Sequence, residues 1–539
     1  MGRRLSVLAC LLLVASGCGA VPAAPAATPA AVPADAANDS GQPPPASAAQ
    51  YATAARPEGV VGGAHAASLA KQIRDALHAR GADGEPDGAL AAAAAWLGRQ
   101  GLEARPRGAG EVALRAGFPG VVLTAAAFRL NGGHDDVWRE ALADVAGNVT
   151  VNRYGVHVSP AGVVAIVFGR METALDPFPR RFQPGEACRL RGTVAVRYDH
   201  ARVYMTRPDG KVEETAGTGR NIDLALPLPV AGVYQLEVMS DSSSGPVVLA
   251  NVPLYVGVGE PGFGSTSSPP ADEKAATPAG AEARMLALLN EVRREARLAP
   301  LTADPELHAV AAAHTEEMIA KHFFGHASPT TGMVENRLER AGVTVTLCGE
   351  NVAEADTADG AHRVLMDSPA HRANMLRADF THVGIGVAMR PGEAADLLAT
   401  LVFVRRPRPP SAPVTPSAAA AVISSLRRAK GAAPIVVDPV LQDAAESGLA
   451  ALPDPGAAPS DRAIAAAHDA LIAQAKRRHL GRRALCIELV RVLELEELER
   501  DPILMQPALA KIGLAAATKQ VGNTAQIALL VIADGATCK

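Results

Sequence analysis

The chain has 539 residues, too many for a single hydrophobic core, so about three to five domains are expected. Its 52 basic and 56 acidic residues leave a net charge of -4, which creates no long-range field. With aromatics at 3% and no basic block interleaved with them, nucleic acid is excluded as an expected partner.

Arg3 and Arg4 form a positive n-region, Leu5 to Val14 a short apolar h-region, and Ala15-Ser16-Gly17-Cys18 a run of small residues closed by a cysteine. This resembles a bacterial lipobox, which implies a signal peptide over 1–18, lipidation of Cys18, and an exported lipoprotein of the cell envelope or outer membrane held to the membrane by its lipid anchor. The alternative is ordinary secretion with cleavage after Ala20. The apolar run is too short to span a bilayer. Cys188, Cys348, Cys486 and Cys538 are too few and too scattered for a disulfide framework, and no Cys-x-x-Cys is present.

Residues 19–63 are rich in Ala, Pro, Ser and Gly and cannot build a core, so they read as a disordered tether reaching on the order of 100 Å. Similar composition marks linkers at 259–280 and 407–416. From 173 to 258, short alternating runs are separated by turn signals. They include Thr193–Tyr198, Val203–Met205, Gly232–Val238 and Val252–Val256, with Arg207-Pro208-Asp209-Gly210 as a turn. This unit resembles an immunoglobulin-like β-sandwich.

Internal repetition organises the rest. The helical segment Met285–Arg294 leads to Pro300-Leu301, Asp304-Pro305 and Leu307; Val422–Arg428 leads to Pro434-Ile435, Asp438-Pro439 and Leu441. Leu347-Cys348-Gly349-Glu350 is echoed by Leu485-Cys486-Ile487-Glu488, and Val383–Val387 by Ile512-Gly513-Leu514. A fainter copy ends with Tyr154–Val158 and Val163–Phe168, after an Ala-rich helix that follows Pro86. Three related units are therefore expected, at 64–172, 281–406 and 417–539.

Only the middle unit carries a set of polar groups suited to chemistry. His326 stands in Phe323-Phe324-Gly325-His326-Ala327-Ser328-Pro329, Glu350 in Gly349-Glu350-Asn351, and His371 in Ser368-Pro369-Ala370-His371-Arg372. Two imidazoles and a carboxylate make an open site for Zn or another divalent cation, with water in the fourth position. The plain alternative is that His326 caps a turn, Glu350 accepts backbone N–H bonds and His371 caps a helix. As a catalytic candidate, Glu350 would act as base only if it were not itself a ligand. No Gly-x-Ser-x-Gly or His-Glu-x-x-His motif is present. His308, His314 and His322, with Glu316 and Glu317, read as solvated helix faces.

In family order, residues 281–406 run through Leu288-Leu289-Asn290-Glu291-x-Arg293, Leu301-Thr302-x-Asp304-Pro305-x-Leu307, Phe323-x-x-His326-x-Ser328-Pro329, Gly349-Glu350-Asn351, Ser368-Pro369-x-His371-Arg372-x-Asn374 and Phe380-Thr381-His382-Val383-Gly384-Ile385-Gly386. This resembles the CAP superfamily of cysteine-rich secretory, antigen 5 and pathogenesis-related proteins. The resemblance implies an α+β architecture. Its middle is a CAP α-β-α sandwich, flanked by two degenerate CAP-like copies and the all-β module. It also implies a groove lined by His326, Glu350, His371 and Ser368. The superfamily is associated with divalent cations, with lipid, peptide or protein ligands and, contentiously, with proteolysis. Relatives place a second Glu near Ser368 and a further His near Asp379. Ser368, Asp367 and His382 are the candidates for that fourth corner here. The expected function is an envelope-anchored protein that binds a ligand in this groove. A metal-assisted hydrolase acting on envelope or extracellular peptides is the alternative, and a purely structural interaction protein the third.

Overall fold

The computed structural model describes residues 49–53, 59–100, 108–130, 136–143, 145, 147–242, 245–261, 277–390, 396–407, 412–450, 485–521 and 524–534. The expected signal peptide, Cys18, the tether as far as residue 48, linker residues 262–276 and 408–411, and Cys538 lie outside them. Two compact units result, Met1–Val343 with Cys348–Val404, and Thr344–Leu347 with Arg405–Lys539. The fold is mixed α and β with several separate sheets. Among the described residues no helix is long and apolar enough to cross a membrane.

The tether ends earlier than its composition suggests. Gln50–Tyr51 pairs antiparallel with Phe178–Pro179, and Tyr51 is wholly buried in the sandwich core with its hydroxyl on the Pro253 carbonyl at 2.9 Å. One large aromatic residue in a Pro/Ala-rich stretch is enough to anchor it, because burying such a ring contributes about 2–3 kcal/mol.

Residues 173–256 form two sheets packed face to face, antiparallel except for the parallel pairing of the short Arg181–Phe182 with Gly245–Val256. One orders Asn221–Leu228, Glu186–Val194 and Thr173–Leu175. The other orders Val212–Ala216, Ala201–Thr206, Gly232–Ser242, Gly245–Val256 and the short Arg181–Phe182. The run at Thr193–Tyr198 is not one strand. The strand stops at Val194, Val196 is left exposed, and Tyr198 turns inward to donate its hydroxyl to Glu172. Arg197 pairs with the same carboxylate, so the polar anchor ends the alternation.

The CAP region begins with helix Pro278–Glu295, capped by Thr277 and started by proline at its first position. Its sheet orders Thr302–Ala303, His382–Arg390, Asp396–Arg405 and Leu347–Ala355, the first pair parallel. Asp304 caps helix Pro305–Ala320 through the N–H groups of Glu306 and Leu307. That helix lies against Gly384 and Gly386, where a Cβ would come within 2.1 Å of the Leu307 carbonyl carbon and 2.2 Å of the Ala312 nitrogen. No side chain other than hydrogen fits there. Short helices Ala358–Asp367 and Pro369–Met375 follow the groove strand Leu347–Ala355.

The same order of strands recurs twice. In the N-terminal region it is Glu85–Pro86, Arg153–Val158, Val163–Arg170 and Val121–Arg129, with Val60–Val61 as a further parallel partner of Arg153–Val158; in the C-terminal unit it is Val436–Val437, Lys511–Val521, Thr524–Asp534 and Leu485–Val492. In each, an aspartate closes the parallel pair and caps the next helix. Asp87 accepts from Ala89 and Leu90, and Asp438 from Val440 and Leu441. Gly155 and Gly513 meet the backbone of Leu90 and Leu441 as Gly384 meets that of Leu307. Arg293 is wholly buried, with its guanidinium on the carbonyls of Ala299, Met375 and Arg377; Arg427 does the same with Ala433, Leu504 and Gln506.

Candidate functional site

His326, Glu350 and His371 come together, each from a different kind of element. His326 sits on the loop after helix Pro305–Ala320, where Gly325 takes a φ of 141°. Asn148 of the N-terminal region pins that loop from both sides, donating to the Phe324 carbonyl at 2.8 Å and accepting its N–H at 3.3 Å. Glu350 lies on the groove strand, and His371 on helix Pro369–Met375. Asn351 joins those two elements, donating to the His371 carbonyl at 3.0 Å and accepting from Asn374 at 2.9 Å.

Glu350 is buried, and both its oxygens are engaged. The His326 Nδ1–H donates to Oε1 at 3.0 Å, and the buried Arg337 guanidinium donates to Oε2. Burial alone would raise this carboxyl. The hydrogen bond and charge of His326, then Arg337 and His314, more than reverse that and hold it below the usual carboxylate range. Glu350 is therefore an ionised acceptor knitted into a cluster.

The His326 and His371 rings are 6.5 Å apart between centroids. His371 does not face Glu350 through a hydrogen bond. Its Nδ1 meets Ser368 Oγ at 2.7 Å, and burial followed by the nearby His326 charge lowers its pKa to about 3. Ser368 in turn donates to Glu237 Oε1 at 2.6 Å. The fourth corner is thus approached by a carboxylate from the β-sandwich. Asp367 and His382 turn elsewhere: burial raises Asp367 to about 8, partly offset by Arg363 and Arg372, and His382 pairs with Thr381 at 2.8 Å.

Glu350 uses both oxygens, on His326 and Arg337, while His326 and His371 each commit Nδ1 to a partner, which leaves Nε2 of each ring as the nitrogen that could meet a ligand. Among the described residues no group of three or more His, Cys, Asp or Glu side chains is placed to hold a metal ion. What the cluster can do is bind by hydrogen bonds. Cys348 offers little nucleophile, since burial, then Glu335, pushes its thiol to about 11.

Two residues read as solvated behave otherwise. His314 is 1% exposed and meets the Gly325 carbonyl at 3.0 Å. It continues the buried stripe Leu307, Val310, Ala311, His314, Thr315 and Met318, and that helical spacing is the signal that could have found it. Glu317 gathers Lys321, Thr330 and Thr331 around the turn after His326, and these bonds overcome burial to lower its pKa to about 2. Glu237 and Arg337 carried no motif at all. In the C-terminal unit, Glu488 lacks such partners: its Oε2 has no hydrogen bond among the described residues, and burial and then Asp501 raise its pKa.

A helix-flanked sheet thus carries a Gly-Glu-Asn strand whose glutamate is bonded to His326, with the His371 ring beside that of His326. The model of the cysteine-rich secretory protein family, CAP, matches residues 286–403, so this stretch of the chain is a CAP domain. The uncharacterized protein YkwD of Bacillus subtilis is 34% identical over 106 residues, 20% of this chain and 41% of that protein. The uncharacterized membrane protein YlbC of the same organism is 36% identical over 108 residues, 20% of this chain and 31% of its own length. The chain therefore spans less than half the length of either relative. Among solved structures, an extracellular protein containing a SCP domain from Bacillus anthracis matches at 23% identity with a TM-score of 0.23, over 33% of this chain and 66% of that one. An outer surface protein of Borrelia burgdorferi matches at 16% identity with a TM-score of 0.23, over 24% and 97% respectively.

Proposed function

We propose that this chain is an exported CAP-domain protein, anchored to the cell envelope through Cys18, that recognises a ligand at its His326/Glu350/His371/Ser368 groove and does not turn it over. The observation that carries this reading is Glu350. A general base must reach a substrate or water proton with a free lone pair. Glu350 is buried, ionised and bonded at both oxygens, so the one candidate base serves as an acceptor inside the cluster. Residues 64–172 and 417–539 are read as copies of the CAP fold without the histidine pair. The recurring Asp87/Asp304/Asp438 caps and Gly155/Gly384/Gly513 contacts support that reading. Residues 173–258 are read as an immunoglobulin-like module.

The test is turnover of a peptide library by the full mature chain. Cleavage abolished by Glu350→Gln would overturn the binding reading in favour of a hydrolase. Calorimetric titration of Zn²⁺ addresses the metal directly: binding lost in both His326→Ala and His371→Ala would make the groove a metal site. For the anchor, Cys18→Ser is expected to release the protein from membranes. A structural interaction role is favoured by one observation, the cover that the β-sandwich places over the groove.

A further inference from the structure

In strand Gly232–Ser242, Tyr234, Leu236 and Val238 alternate into the sandwich core, which puts Gln235, Glu237 and Met239 on the opposite face. An isolated sandwich would show that face to water. Here all three are buried, Glu237 completely, and the CAP domain lies over Glu237 and its neighbour Asn251. Ser368 Oγ donates to Glu237 Oε1 at 2.6 Å, and the Ala370 N–H donates to Oε2 at 2.9 Å. Asn251, cross-strand from Glu237, donates to the Asp367 carbonyl at 3.1 Å, and Arg372 donates to the Gly210 carbonyl at 3.2 Å. A Cβ on Gly245 would come within 3.0 Å of the His326 Cβ. Between Glu237, Asn251, Ser368 and His371 a cavity of about 10 Å³ remains. That is room for one water at most.

We propose that the β-sandwich is a latch on the CAP groove: Glu237 closes the His326/His371/Ser368 wall, and the groove takes an external ligand when the sandwich lifts away. This rests on the binding reading and adds its regulation. The contact has the chemistry of a separable interface. Its centre is a carboxylate with no lysine or arginine paired to it among the described residues, and a buried unpaired charge costs several kcal/mol of desolvation. The groups around Glu237 are Tyr204 and Asn251 on its own sheet, and Ser368, His371, Glu354 and Asp367 from the CAP domain. Such polar contacts fix register more than they add adhesion, and interdomain surfaces of this kind separate readily. Lifting frees the Ser368 hydroxyl and the His371 imidazole for a hydrogen-bonding ligand.

Carbethoxylation of histidines in the full mature chain, followed by mass spectrometry, reads the latch. His78 is exposed and reports the unhindered rate, while His314 is buried within the CAP domain and reports loss of its fold. Glu237→Lys and, independently, Asn251→Lys place a charge on the outward sheet face, which the sandwich core does not need. Each is expected to raise modification of His326 and His371 by about tenfold or more while His314 stays at the native rate. Unchanged rates at His326 and His371 in both variants would overturn the latch, as would His314 rising in step with them. Peptide cleavage would defeat the binding reading without altering this footprint, so the two failures are separable.

Discussion

Ser368 Oγ lies 2.6 Å from Glu237 Oε1 and 2.7 Å from His371 Nδ1, so a single hydroxyl joins the β-sandwich to the CAP groove. Ser368 gives its proton to Glu237 Oε1 and accepts from the His371 Nδ1–H. That leaves Nε2 as the lone-pair nitrogen of a neutral ring. The junction orders the histidine through a residue of another domain.

Glu237 makes the stability of the protein depend on pH in a direction opposite to the usual carboxylate. Burial raises its pKa to about 7, and the Ser368 and Ala370 bonds pull the other way without reversing it. A folded pKa above the unfolded one means that the folded state holds the proton more tightly. Its contribution is therefore full below the unfolded value near 4.5 and is lost as pH rises toward 7, about 3 kcal/mol in all. Glu237→Gln keeps the shape without the ionisation. Thermal melts should show the Tm of the variant gaining on that of the native chain between pH 4.5 and 7, then holding a constant difference. A difference that stays flat across that range would contradict the account.

Arg337 carries the opposite lesson. It is buried, donates to Glu350, and its Nη1 also donates to the His326 carbonyl at 3.0 Å. Arg337→Ala leaves a buried carboxylate with only His326 to hold it, and breaking such a pair costs about 3–5 kcal/mol. Urea denaturation should show that loss as a lower midpoint with little change in slope. Adding Glu350→Gln to Arg337→Ala removes the stranded charge and should restore part of the loss. No recovery in the double variant would mean that Arg337 acts through packing alone.

The His326, Glu350, His371 and Ser368 set was legible in the sequence because each residue stands inside a local motif. Arg337 and Glu237 were not, for different reasons. Arg337 looks like one of several charges on a short polar helix, and only the folded chain shows its guanidinium turned inward. Glu237 obeys the period-two alternation of a half-exposed strand. That pattern reports which face meets the sandwich core, and says nothing of a second domain laid on the other face. His314 was concealed by its type, since its position on the buried helical stripe had marked it. The repeat was legible through Asp304 and Asp438 because a cap and a following proline are local. The buried carbonyl cradles of Arg293 and Arg427 were not, as their partners lie about 80 residues away.

The glycines beneath the capped helices give the sharpest test of the shared packing. Gly155, Gly384 and Gly513 each lie on a strand crossed by the helix that Asp87, Asp304 or Asp438 caps. An added Cβ would sit 2.1 Å from the Leu90 carbonyl carbon, 2.1 Å from that of Leu307 and 1.9 Å from the Leu441 oxygen. These neighbours are backbone atoms of a helix and cannot rotate aside, so the helix must lift from its sheet. Substitution to Ala at each is expected to cost about 2–3 kcal/mol in urea denaturation, the range for overpacking a tight interior. Gly147→Ala is the control, because nothing lies within 4 Å of its added Cβ, and its effect should stay within about 0.5 kcal/mol. If the three substitutions prove as mild as the control, the helices do not rest on the strand backbone, and the packing common to the three sheets fails with them.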